Sequence, residues 1–285
     1  MTIVDEIDEM YDKGGHEGAE RFMLERRDAI MADPDGSTAD LIAVCNELGA
    51  LYREKSRYEE SVYNFELALS KTEEVLGTSE AEECAVLRLN VAGTYRYMGK
   101  TEKAIEYYET AYRIMAAIGG KDGTYEMASL LNNLSNAYQD IGMSAKAMEY
   151  ALPAYEITRK LCAGQTEEAI SLMNLASIAA RTGDLDKAAD YAHRAMGIYE
   201  ALGKTGGHYP AAVNIAAVVD FKRGDHRAAL AGFERSAELT KASMGVNRDY
   251  ASALMNVAAV LDAMGRGDEA AAKAAEAEEI RAHLK

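Results

Sequence analysis

The fold is decided by residues 86–115, which read VLRLNVAGTYRYMG followed by KTEKAIEYYETAYRIM. In the first half, Leu87 and Val91 belong to an apolar stripe whose members recur three, four and seven residues apart. In the second half, Tyr108 and Met115 lie on a similar stripe. Both halves therefore predict amphipathic helices, and the glycine between them predicts a tight turn.

This unit recurs about every 42 residues along the whole chain of 285 residues. Its anchor is a glycine at the turn, followed five residues later by a small residue. A fixed period of this length is typical of stacked helical hairpins, in which each unit packs only on its neighbours. Five regular anchors and two divergent ones are present: Gly99/Ala104, Gly142/Ala147, Gly183/Ala188, Gly224/Ala229, Gly265/Ala270, Ser56/Ser61 and Gly14/Ala19.

The small residues at Ala92 and Ala104, with tyrosines at Tyr95 and Tyr108, resemble the tetratricopeptide repeat. The period is longer than the 34 residues of the ordinary repeat, which is the format of the kinesin light chain type. Residues 207–210, Gly-His-Tyr-Pro, are similar to the joining loop of that type. The resemblance implies helix-pair architecture and a surface that binds proteins.

We therefore expect an all-α fold, a right-handed α-solenoid of about seven antiparallel helix hairpins with fourteen helices. Residues 1–36 are predicted to be a degenerate N-terminal helical repeat. Residues 37–285 are predicted to form six tetratricopeptide-like repeats in one continuous solenoid.

Composition excludes several classes of function. The net charge of −16 argues against nucleic acid and against an anionic membrane as partners. The acidic start and the lack of a long apolar run predict a soluble protein without an export signal. Three scattered cysteines suit a reducing compartment, so a cytoplasmic location is expected.

One polar feature of the repeat is not required by packing. An asparagine stands nine or ten residues before the anchor in six repeats, on the helix face that the family turns toward its groove. A carboxamide offers both a donor and an acceptor, so a row of amides is suited to the backbone of an extended peptide. Alternatively, the same amides hydrogen-bond the adjoining repeat and only tie the stack together. The residues are Asn46, Asn90, Asn133, Asn174, Asn214 and Asn256.

A second row lies about two turns further along the same helices. It consists of Arg53, Arg96, Gln139, Arg181 and Lys222. A cationic strip of this kind favours an acidic peptide or a carboxylate terminus. The alternative is that these charges only complement the helix macrodipole near helix C-termini.

No nucleophile motif, phosphate loop or metal-ligand spacing is present in the sequence, so neither catalysis nor a cofactor is predicted. The predicted function is a scaffold that holds an extended segment of a protein or peptide partner. Two alternatives remain: a peptide-sensing regulator whose superhelix pitch responds to ligand, and a structural protein that self-associates through its terminal repeats. Residues 1–36 are too short and too repeat-like for the N-terminal module that bacterial peptide receptors of this kind usually add.

Overall fold

The computed structural model describes residues 2–119, 123–204 and 206–283, and every regular element in them is an α-helix. Because these residues contain no strand, the predicted all-α fold is confirmed. The helices of the described residues are α1 (Ile3–Ala32), α2 (Thr38–Glu54), α3 (Tyr58–Leu76), α4 (Glu82–Tyr97), α5 (Thr101–Ile118), α6 (Tyr125–Asp140), α7 (Ser144–Leu161), α8 (Thr166–Thr182), α9 (Leu185–Ala201), α10 (Tyr209–Arg223), α11 (His226–Met244), α12 (Arg248–Ala263) and α13 (Gly267–His283).

The helices belong to two compact units, Met1–Met143 and Ser144–Lys285. In the N-terminal unit, α2 pairs with α3 and α4 pairs with α5, with α1 and α6 packed at either side. In the C-terminal unit, the pairs α8/α9, α10/α11 and α12/α13 follow α7. First helices of neighbouring pairs also touch, as α2 does with α4 and α8 with α10. Each unit therefore presents one face built from first helices.

The anchor glycines end the first helices in the left-handed conformation that glycine adopts most readily. Gly99 has a φ of +72°, Gly142 of +78° and Gly183 of +88°. The small residue that follows each anchor is buried in every repeat, with at most 7% of its surface exposed. These seven residues are Ala19, Ser61, Ala104, Ala147, Ala188, Ala229 and Ala270.

The second repeat solves the same packing problem with serines. Ser56 stands where most repeats have glycine, and its φ of +58° is the one positive value at a non-glycine residue of the described chain. The Ser61 hydroxyl donates a hydrogen bond to the carbonyl of Gly49 at 2.7 Å. A Cβ atom at Gly49 would lie 2.7 Å from the ring of Phe65, so the helices α2 and α3 approach closely here.

The N-terminal repeat is a shortened hairpin within α1. Gly15 has φ +59° and ψ −161°, which are not helical values, and it separates two helical segments. Arg26 Nη2 lies 3.5 Å from Glu6 Oε2, so the second segment runs back along the first. Ile7 and Met23 share one apolar cluster with residues of α2. With α1 taken as two helical segments separated at Gly15, the described residues contain the fourteen expected helices.

Tyrosines of the repeat signature connect one repeat to the next. The Tyr95 hydroxyl on α4 donates a hydrogen bond at 3.0 Å to Glu66 on α3, and Tyr107 donates to the same carboxylate at 3.0 Å. In the next repeat, Tyr138 on α6 donates to Glu109 on α5. Burial, together with the bond to Glu66, raises the pKa of Tyr107 above its usual range, so its hydroxyl stays protonated as a donor.

Replacing Ser56 by glycine should stabilise the protein, because a left-handed conformation costs a residue with a Cβ atom about 1–2 kcal/mol. Part of that gain is lost to the greater freedom of glycine in the unfolded chain. We expect Ser56→Gly to raise the melting temperature by about 2–4 °C and Gly99→Ser, the matched reverse change, to lower it. Equal melting temperatures for the two variants would contradict this reading of the anchors.

Enlarging an anchor alanine should destabilise the hairpin. Ala104 is fully buried between α5 and α4, so Ala104→Leu must push the helices apart, at a cost of about 1–3 kcal/mol. Ala117→Leu is the matched control, because Ala117 is exposed near the end of the same helix. Thermal unfolding followed by circular dichroism measures both. If the two variants have the same melting temperature, Ala104 does not set the distance between the helices.

Candidate functional site

The six predicted asparagines all lie on first helices, and all six are half-buried. They belong to α2, α4, α6, α8, α10 and α12, one in each of the six repeats after α1. Each of these residues therefore keeps part of its surface accessible to solvent. The asparagines are therefore neither a fully exposed row nor fully buried contacts between repeats.

Four of the six amides form two pairs. Asn90 Nδ2 donates to Asn46 Oδ1 at 3.1 Å, and Asn256 Nδ2 donates to Asn214 Oδ1 at 2.8 Å. Each bond joins the first helices of two successive repeats. In both pairs the acceptor lies ten residues before its anchor and the donor nine residues before the next anchor. This one-residue offset between successive repeats is visible in the sequence.

The pairs retain hydrogen-bonding capacity. Asn46 also donates to Glu47 Oε1 at 3.3 Å. Within the described structure, Asn90 Oδ1, Asn256 Oδ1 and Asn214 Nδ2 have no protein partner. Each pair therefore has one carbonyl oxygen that accepts no hydrogen bond from the protein, and the second pair also has one Nδ2 group that donates none. A peptide backbone needs one group of each kind per residue.

The Asn46–Asn90 pair lies in a groove of the N-terminal unit, which we call the N-groove. It has a volume of about 660 Å³ and is formed by α2, the end of α3 and the first half of α4. Its walls include Val75, Leu76 and Val86, which are 61%, 43% and 41% exposed. Large aliphatic side chains exposed together in one concave site are typical of interaction surfaces.

The Asn214–Asn256 pair lies in a groove of the C-terminal unit, the C-groove. Its volume is about 380 Å³, and α10, α11 and α12 form it. His208 and Pro210 line the beginning of α10, and Met244 lies at the end of α11. The C-groove is thus smaller than the N-groove, and like the N-groove it is formed by one hairpin and the first helix of the next.

The two grooves use equivalent repeat positions. Thr72 and Thr240 both stand sixteen residues after an anchor, and each hydroxyl donates to the carbonyl four residues earlier, at 2.9 and 2.8 Å. Glu83 and Asp249 both lie in the first turn of the helix that carries the donor asparagine. Neither the threonines nor these carboxylates were predicted from the sequence. Their equal distances from the anchors and the asparagines are the signal that identifies them.

The remaining two asparagines line neither groove. Asn133 on α6 and Asn174 on α8 are half-buried, like the paired amides. Their part in binding stays a prediction.

The predicted cationic strip is only partly available. Arg96 Nε donates to Asp140 Oδ2 at 2.6 Å, and Gln139 is only 6% exposed. Lys222 Nζ donates to the carbonyl of Ala180 at 2.7 Å. The guanidinium of Arg53 lies 5.5 Å from the ring centroid of Phe65. The exposed Arg181 remains as the strip residue with the most accessible charge.

The described residues contain no group of three or more His, Cys, Asp or Glu side chains placed to hold a metal ion. No helix among them has the length and apolar character that crossing a bilayer would require. Cys45 and Cys84 are buried free thiols, and burial raises the pKa of Cys45 to about 11. Neither thiol lines a groove.

A double-mutant cycle on Asn46 and Asn90 should reveal the tie between repeats. Each change to alanine gains helix propensity, but the cycle cancels that gain and isolates the hydrogen bond. We expect a coupling of about 0.5–1.5 kcal/mol in the free energy of urea unfolding. Asn90→Ala combined with Thr110→Ala, on helix α5 outside the groove, should be additive. Additive values for Asn46 and Asn90 as well would show that the amides do not stabilise the stack.

The comparisons with known proteins agree with this architecture. No curated protein sequence matches this chain. A tetratricopeptide repeat protein from Parabacteroides merdae has a TM-score of 0.68 at 16% identity, covering 98% of this chain and 91% of that one. A structure of nearly identical TPR-like repeats from a Podosopora anserina kinesin light chain has a TM-score of 0.59 at 18% identity. The match covers 70% of this chain and 95% of that one.

A Rap protein complexed with Competence and Sporulation Factor has a TM-score of 0.61 at 15% identity, with 90% of this chain and 79% of that chain covered. Identities this low show a shared fold and nothing more specific. The sequence itself matches the tetratricopeptide repeat family over residues 40–117 and 126–201, which together exceed half of the chain. Since the matched residues include α2 to α9 almost entirely, this protein belongs to the tetratricopeptide repeat family.

Proposed function

We propose that this protein is a binding scaffold that holds extended segments of partner proteins on its first-helix faces. The observation that carries the proposal is the pair of equivalent grooves, each with an Asn–Asn pair that keeps polar atoms open. Membership of a family of protein-interaction repeats supports the same conclusion.

The amide pairs serve two purposes in this proposal. The inter-repeat hydrogen bond holds both side chains in place, so a ligand does not have to order them on binding. The open carbonyl oxygen of Asn90 or Asn256 accepts from a backbone N–H of the partner. The open N–H groups donate to a backbone carbonyl. Because only backbone is contacted, these bonds fix the path of the segment, and the groove walls select its side chains.

A peptide-sensing regulator is the second candidate. The Rap protein that shares this fold is solved in complex with Competence and Sporulation Factor, so the repeat fold accommodates a separate factor in that protein. The two candidates use the same grooves and differ in the consequence of binding. Small-angle X-ray scattering with and without a bound peptide separates them, because only the regulator requires a change of shape.

Binding should depend on the paired amides. Peptides are selected for the purified protein from a displayed library of random dodecapeptides, and the best binder is synthesised with a fluorescent label. We expect Asn46→Ala/Asn90→Ala, or Asn214→Ala/Asn256→Ala for a C-groove binder, to weaken its Kd roughly tenfold. Two lost bonds at about 0.5–1.5 kcal/mol each give this magnitude. Thr110→Ala is the control and should bind like the wild type.

A second form of the ligand tests the backbone contact directly. Single N-methylation along the selected peptide removes one backbone donor at a time and leaves every side chain in place. At least one N-methyl position should weaken binding to the wild type and have little further effect on the double alanine variant. If the alanine variants lose stability yet bind the peptide unchanged, the amides only tie the repeats together and the proposal fails.

A further inference from the structure

The residues that line the N-groove are more aliphatic than the equivalent residues of the C-groove. Where the N-groove has Val86 and Leu87, the equivalent positions of the C-groove have Ser252 and Ala253. The larger volume of the N-groove, about 660 Å³ against about 380 Å³, adds to this difference. The N-groove therefore presents the broader aliphatic wall to a ligand.

The N-groove is also acidic. Its only charged lining residues are Glu82 and Glu83, in the first turn of α4. The Glu83 side chain is exposed and forms no ion pair among the described residues. An acidic rim beside an aliphatic wall attracts cations and repels carboxylates, most strongly at low salt.

The described cations nearest to Glu83 along the chain do not pair with it. Arg88, on the same helix, is 12% exposed at its side chain and pairs with Glu73 at 2.5 Å. Its other guanidinium nitrogen donates to the carbonyl of Ser79 at 3.0 Å. The strip residues Arg53 and Arg96 lie further along their helices and do not line the groove. A ligand in the N-groove thus meets the exposed carboxylate of Glu83, and none of the described residues that line the groove is a cation.

We propose that the N-groove binds a partner segment in which an aliphatic side chain stands next to lysine or arginine. The aliphatic residue packs against Val75, Leu76 and Val86, and the basic residue reaches Glu83. This inference rests on the proposed function, because the amide pair sets the path of the segment through the groove. It reverses, for this groove, the acidic partner that the cationic strip predicts from the sequence.

Peptide selection gives the first test. Random dodecapeptides are displayed and selected on the full-length protein, and the enriched sequences are counted at adjacent positions. Leucine, isoleucine or valine beside lysine or arginine should be enriched in binders that Val86→Ser weakens. This variant gives the N-groove the serine that the C-groove has at the equivalent position, Ser252. Enrichment of Asp or Glu beside the aliphatic residue, or no enriched sequence at all, overturns the inference.

Charge reversal gives the second test, measured by fluorescence anisotropy with the enriched peptide. Glu83→Lys should weaken binding roughly fivefold, and replacing the basic residue of the peptide by glutamate should restore affinity for this variant. Asp249→Lys is the matched control, because it makes the same kind of change at the equivalent position of the C-groove. It carries the same macrodipole cost in a first helical turn and should leave this peptide unaffected. Equal effects of the two reversals would overturn the assignment to the N-groove.

The amide variant separates this inference from the proposed function. If the enriched peptide shows the aliphatic–basic preference but binds Asn46→Ala/Asn90→Ala like the wild type, the backbone contact fails and the side-chain selection stands. If binding depends on the amides but no aliphatic–basic preference exists, the proposed function stands and this inference fails. Melting curves of each variant confirm that the compared proteins are folded.

Discussion

The close approach of two helices at one small residue per repeat is the constraint on which the rest of the structure depends. Ala104 and its six equivalents are buried in every hairpin, and Ser61 fills the position only by hydrogen-bonding its hydroxyl to the facing backbone. A larger side chain there would separate the helices and leave gaps elsewhere in a close-packed interior. Because the spacing within hairpins is set in this way, neighbouring first helices also touch one another.

That contact between first helices gives the asparagines their geometry. An amide in the middle of a helix is a cost when it stands alone, since it competes with the backbone and lowers helix propensity. In the pairs Asn46–Asn90 and Asn214–Asn256, the cost is offset by a hydrogen bond between repeats. The same bond holds both amides of each pair in place, and all four asparagines line the grooves. One residue type therefore contributes both to stability and to the proposed binding.

The charged side chains at the two ends of the first helices differ in whether other residues of the protein already pair with them. The cations near the C-terminal ends of the first helices are mostly engaged, as Arg96 is by Asp140 and Lys222 by a backbone carbonyl. The carboxylates at the N-terminal ends, such as Glu83 and Asp249, line the grooves. Acidic groups in a first turn also complement the helix macrodipole, so their placement suits the helix and the groove at once.

The sequence by itself determined the repeat length, the helix pairs and the positions that are buried, because turns, caps and apolar stripes act over a few residues. It also placed Asn46 and Asn90 on first helices, where the structure has them. It did not determine that these two amides pair, that Arg96 is neutralised, or that Val75 and Val86 form one wall. Those outcomes depend on side chains up to 44 residues apart meeting across packed helices. Only the tertiary structure brings such residues within hydrogen-bonding or van der Waals distance, so only the tertiary structure decided which predicted residues remain open to a partner.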